Sequence, residues 1–171
     1  MNDPKTQNLF HIYNSEQNTL FRLDQKAYTL ISFMGVLMAF FIVHYKSIPH
    51  TLLMDSVTFM YFTSALITLS ALLLVIVPRV KNANAPQNGD FKENPLFFAG
   101  IIQHKTSEDY SQHVEALIDD QKEFRKVVAD SIYSMAMINQ RKRRFFHIGI
   151  IFFTATLYIE ILIILIKFLG E

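Results

Sequence analysis

The 171-residue sequence contains no cysteine. That excludes a disulfide framework, a cysteine nucleophile and thiolate metal sites. Net charge is nearly absent as well, at +1 with histidine neutral, so the chain has no bulk attraction for a polyanion such as nucleic acid. No HExxH, GxSxG or GxxxxGK[ST] pattern occurs. The six histidines, His11, His44, His50, His104, His113 and His147, fall into no metal-ligand spacing and read as surface or interface residues. With no acid, base and nucleophile converging, the expectation is a protein that is not an enzyme and holds no metal or cofactor. The opening Met1-Asn2-Asp3-Pro4 lacks the basic stretch and apolar run of a secretory leader, so the first apolar run is expected to be a retained membrane span.

The apolar content is high, at 51%, and it is concentrated in long runs. A soluble core would alternate apolar and polar positions instead. The expected architecture is an all-α membrane protein with three spans. Its parts are an amphipathic N-terminal helix over 1–26, spans over 27–45, 56–78 and 145–167, and a polar loop and long helix over 79–144. Residues 27–43 and 56–78 contain no Asp, Glu, Lys or Arg. Seventeen residues at 1.5 Å each cover about 26 Å, close to a bilayer's apolar thickness.

Leu9, Tyr13, Glu16, Leu20, Leu23, Ala27 and Leu30 follow spacings of three and four, which predicts one face of a helix running straight into the first span. Small residues at Ser32, Gly35 and Ala39 predict close approach to a similar face at Ser64, Thr68 and Ala71 on the second span. Residues 46–55, with Pro49, read as a turn, and 81–93 as an exposed loop. Residues 94–102 are apolar but too short to cross a membrane.

From Ser107, read as an N-cap, one long helical run is expected to reach Phe168. Its stripe of Tyr110, Val114, Leu117, Gln121, Phe124, Val128, Ile132, Met135 and Ile138 is near heptad spacing and predicts a partner helix. That partner is either the N-terminal helix or a second copy of the chain. Lys and Arg number fourteen (three plus eleven) over 1–26 and 79–144, against two at Lys46 and Lys167. The positive-inside rule then predicts a cytoplasmic N-terminus and a C-terminus on the far side.

Three features are weighed as sites. The Arg141-Lys142-Arg143-Arg144 cluster anchors a span, with an anionic phosphate or lipid contact as the functional alternative. Glu160 lies inside the third span, roughly 22 Å beyond Phe145, at a depth reached also by His44, Thr58 and Tyr61. It is either a hydrogen-bonded structural carboxylate or a gating group, with His44 as a second intramembrane polar residue. Asp24 and Lys26, two residues apart, point to different neighbours: Asp24 to one of residues 141–144, and Lys26 to a headgroup or carboxylate.

Leu23-Asp24-Gln25-Lys26-Ala27 before the first span, Asn94-Pro95-Leu96-Phe97-Phe98 after a polar loop, and Ser107-Glu108-Asp109-Tyr110 opening a helix that ends in a C-terminal span together resemble one family. It is the transmembrane effectors of Pycsar, the pyrimidine cyclase system for antiphage resistance. The motif residues are Asp24, Lys26, Asn94, Pro95, Phe97 and Phe98. The resemblance implies a bacterial inner-membrane protein encoded beside a nucleotide cyclase. It would be activated by cyclic CMP or cyclic UMP and would impair membrane integrity, giving abortive infection. Such a ligand needs a cation or helix N-terminus for its phosphate and an aromatic face for its base. Arg22, Lys26, Arg125, Lys126, Phe97, Phe98 and Tyr110 are the expected suppliers. A homo-oligomer is expected because three spans enclose no pore. The competing expectation is a constitutive membrane scaffold or toxin-like permeabiliser with no nucleotide ligand.

Overall fold

The computed structural model describes residues 4–46, 51–77, 98–101 and 104–170. Five helices make up the described part: α1 (Pro4–Tyr45), α2 (Leu52–Ile76), α3 (Phe98–Ile101), α4 (Ser107–Asp119) and α5 (Gln121–Gly170). No strand occurs among the described residues, so the all-α expectation holds. α1, α2 and α5 are each long and apolar enough to cross a membrane. Pro4 opens α1, a position where its missing N–H leaves no helical bond unmade. From there α1 continues unbroken for 42 residues, as its uninterrupted stripe predicts.

Three helix boundaries differ from expectation. α2 starts at Leu52, inside the segment expected to be a turn. The Thr51 hydroxyl caps it by accepting from Met54 N at 3.3 Å, and Asp55 sits in its first turn, where the helix dipole favours a carboxylate. The run from Ser107 is not one helix but two, broken at Asp120. Asp120 N donates to Ala116 O, ending α4. Its Oδ1 then accepts from Lys122 N at 3.0 Å and Glu123 N at 3.1 Å, starting α5. Aspartate competes for backbone donors in this way and so favours helix starts over helix interiors. Ser107 is the first helical residue of α4, and Thr106 is the cap, accepting from Asp109 N at 3.1 Å. Asp120→Ala removes both acceptor contacts and is expected to cost about 1 kcal/mol. Hydrogen exchange should show it as faster exchange at Lys122 and Glu123.

The chain divides into two compact units. The first comprises Met1–Leu20 and Arg79–Asn139. Its core is Leu117, Phe124 and Val128, with Leu9, Ile118, Val127 and Ile132 packed around it. Phe10 lies against Phe124, ring centroids 6.0 Å apart. The stripe on α4 and α5 therefore packs against the N-terminal helix of the same chain. Each of these three buried side chains contributes up to about 1.5–3 kcal/mol relative to exposure in water. The stripe slips by one position at its end. Ile138 is exposed, while Asn139 is buried and donates from Nδ2 to Glu16 O at 3.0 Å and to Glu16 Oε2 at 2.6 Å. Glu16, the polar member of the α1 stripe, is there to meet it.

The second unit comprises Phe21–Pro78 and Gln140–Glu171. Leu23, Ala27, Met34 and Phe41 are the buried residues of α1, a continuation of the heptad stripe. Ala27 packs with Leu72 and Val75, and Phe41 with Met54, Tyr61 and Ile163. The Phe41 and Tyr61 rings stack at 4.1 Å. The small-residue pairing expected between the first two spans is not what forms. Ser32, Gly35 and Ala39 lie on the exposed side of α1, and a Cβ added at Gly35 would meet nothing within 4 Å. The heptad stripe already assigns the opposite face of α1 to the interior, leaving these residues outward. The close approach occurs instead between α2 and α5, where a Cβ at Gly149 would come within 2.7 Å of the Leu72 side chain.

Outward from this unit point Phe33, Val36, Phe40 and Val43 on α1, Phe59 and Leu66 on α2, and Ile161 and Phe168 on α5, all exposed. An apolar exterior of this extent is unfavourable in water and suits hydrocarbon.

Candidate functional site

Where α1 approaches its apolar half, Asp24 is half-buried and Lys142 buried at 8% exposure. Lys142 Nζ donates to Asp24 Oδ1 at 2.6 Å. This is the pairing expected between Asp24 and the 141–144 cluster, and it selects the lysine. Leu23 and Ala27 flank Asp24 on the inward face, so α1 aims the carboxylate at α5. Arg141, Arg143 and Arg144 remain exposed. Lys26, two positions on from Asp24, is exposed too, as the angular spacing of a helix requires.

Deeper in the same unit, α2 and α5 share a polar seam. Ser64 Oγ donates to Phe152 O at 3.0 Å, and Thr156 Oγ1 donates to Ser64 Oγ at 2.9 Å. Thr68 Oγ1 donates back to Ser64 O at 2.9 Å within α2. Interhelical hydrogen bonds of this kind contribute about 0.6 kcal/mol each in a membrane, enough to fix the rotation of α5 against α2. One turn beyond Thr156 is Glu160, 5% exposed, and Tyr61, fully enclosed, lies one turn before Ala65 on α2. Tyr61 shares a cluster with Ile163, and Ile159 packs against that cluster; both isoleucines are close to Glu160 along α5. Tyr61 Oη and Glu160 Oε2 are both buried and have no hydrogen-bond partner.

The residues expected to bind a ligand fall into three groups. Tyr110, Arg125 and Lys126 belong to the first unit, and Arg22 and Lys26 to the second. Phe97, with Asn94 and Pro95, lies outside the described residues, as does the side chain of Phe98 in α3. Tyr110 is half-buried with its ring edge toward His104, centroids 5.4 Å apart. His104 Nδ1 lies 3.1 Å from Asp109 Oδ2, and its ring is 5.2 Å from that of His113. Arg125 is half-buried and Lys126 exposed. His44, expected as an intramembrane polar group, is exposed. Its Nδ1 is 2.9 Å from Phe40 O on its own helix, and its ring lies tilted against that of Phe40, centroids 4.1 Å apart.

Sequence reasoning missed Thr156 and Asn139, both of which fall on the heptad that carries the rest of the α5 face. Among the described residues no group of three or more His, Cys, Asp or Glu comes together to hold a metal ion.

The Pycsar effector protein domain matches residues 8–169, nearly the whole chain. No curated protein and no solved structure matches it. The domain match agrees with the three membrane-length helices. The chain therefore belongs to the Pycsar effector protein family and is a bacterial antiphage defence effector of the membrane.

Proposed function

We propose that this effector is switched on by a cyclic pyrimidine mononucleotide, cyclic CMP or cyclic UMP, made by a neighbouring cyclase. Its response is to impair the bacterial inner membrane and cause abortive infection. The observation that carries the reading is the continuity of α1 and α5. Each contributes residues both to the first, polar unit and to the second, apolar one. A ligand that alters side-chain packing in the first unit thereby acts on helices that also form the spans. No step of this is catalytic.

The phosphate of the nucleotide is met by Arg125 and Lys126 of α5, and the base by the aromatic rings of Tyr110, Phe97 and Phe98. For such a ligand to take the protein from 1:99 to 99:1 in favour of the open form, it must bind that form about 10⁴-fold more tightly. The N-terminus is cytoplasmic and the C-terminus periplasmic, which places the polar unit on the side where a cyclase product accumulates. The chain acts as a homo-oligomer, with the lesion formed between copies.

Calorimetric titration of the purified protein with cyclic CMP and with cyclic UMP tests the reading. Saturable binding of one of them is expected, and heat from neither contradicts it. Expression without a cyclase should be tolerated. Toxicity of the chain alone would favour a constitutive permeabiliser.

A further inference from the structure

Tyr61 and Glu160 pose a problem that the seam beside them does not solve. Ser64 and Thr156 satisfy one another and the Phe152 carbonyl. Tyr61 Oη and Glu160 Oε2 are as deeply enclosed, yet neither reaches a partner, including each other. One direct hydrogen bond between phenol and carboxylate would have satisfied both atoms. They fall at one level all the same: Leu72 faces Gly149, Ser64 faces Thr156 and Tyr61 shares a cluster with Ile163, so α2 and α5 run antiparallel, and one turn beyond the Ser64–Thr156 contact toward the same end lie Tyr61 on α2 and Glu160 on α5.

Charge decides what such a pair can hold. Residues 27–43, 56–78 and 145–166 contain no Lys or Arg; the nearest cation along α5 is Lys167, half-buried two turns beyond Glu160 and engaged in an interaction of its own. What α1 brings to the cluster is the Phe41 ring, and what α2 brings is the Tyr61 hydroxyl, a neutral group. His44 and Tyr158 are exposed on the outer sides of their helices, and His147 is exposed near the other end of the span. An enclosed carboxylate at this depth costs several kcal/mol unless it is neutralised or paired. A water molecule would satisfy the hydrogen bonds and leave the charge. A divalent ion would overcompensate it. One positive charge balances it, and the donors are hard oxygens, which suit a proton or an alkali-metal ion and not a soft metal.

We propose that Tyr61 and Glu160 form an intramembrane site for a single monovalent cation, with the proton and alkali-metal ions competing for it. The site stands on the geometry of the second unit and does not depend on nucleotide activation.

The test uses the full chain in lipid vesicles and dicyclohexylcarbodiimide, an apolar reagent that modifies protonated carboxyl groups in membranes. Modification is located by mass spectrometry. Glu160 should be modified at pH 6, and more slowly as pH rises. At constant ionic strength, replacing N-methylglucamine by sodium or potassium should slow modification by about tenfold once the ion is at ten times its dissociation constant. Tyr61→Phe should keep the modification and lose most of the protection. Titration with pH but no protection by either alkali ion would leave a neutral carboxyl alone and overturn the shared cation site. A Glu160 that is unmodified at pH 6, or whose modification ignores both pH and alkali ions in the native chain, overturns the proposal. Because the native chain gives this readout, the outcome stands even if a variant folds poorly. Neither result bears on whether a nucleotide binds.

Discussion

Replacing Asp24 by alanine is expected to destabilise the protein by about 3 kcal/mol, the low end of the range for stranding one partner of a buried ion pair. The ammonium of Lys142 would be left with its side chain only 11% exposed. The effect is asymmetric. Lys142→Met keeps the apolar stem and leaves the carboxylate of Asp24, 28% exposed, in reach of water; about 1 kcal/mol is expected. The double variant should be closer to the native protein than Asp24→Ala alone, because no charge is then stranded. Reversible unfolding in detergent micelles, followed by circular dichroism, gives the cycle. Moderate salt should weaken the coupling only in part, since the lysine end is enclosed while the carboxylate end meets water. Additive losses in the double variant would mean that the 2.6 Å contact carries no coupling.

Glu160→Gln is the second large effect. Glutamine preserves shape and one carbonyl acceptor while removing the charge. Insertion and helix content should be unchanged, because three long apolar helices hold the unit in the bilayer. Permeabilisation by the activated protein should change by about tenfold, the consequence of roughly 1.4 kcal/mol in the equilibrium between closed and open forms. Dye release from vesicles measures it. An unchanged rate, with insertion intact, would remove Glu160 from the gating mechanism.

Much of this arrangement was legible in the residues. The α1 stripe from Leu9 to Leu30 lies inward at every predicted position, because a period of three and four tied to burial leaves a helix one choice of face. Asp24 was legible as the partner of a basic residue for the same reason. The small-residue face at Ser32, Gly35 and Ala39 was misleading. Small residues permit close approach but do not compel it, and the heptad through Met34 and Phe41 had already taken the inward direction. The break at Asp120 was hidden because apolar periodicity carries across a cap. Only the preference of aspartate for backbone donors marks it. The partners of Ser64 were not accessible from sequence, since they depend on the rotation of α5 about its axis, which Gly149 and Leu72 settle by contact. The expected ligand residues were chosen by chemistry alone, and Tyr110, Arg125 and Lys126 share a unit while Arg22 and Lys26 do not belong to it.

The central claim is that a cyclic pyrimidine mononucleotide opens the membrane through this chain. Purified protein in vesicles loaded with a self-quenching dye tests it most directly. Addition of cyclic CMP or cyclic UMP should release the dye, with cyclic AMP and linear CMP as inactive controls, and protein-free vesicles should stay sealed. Dye retained with both pyrimidine nucleotides, or released equally without any nucleotide, would contradict the claim.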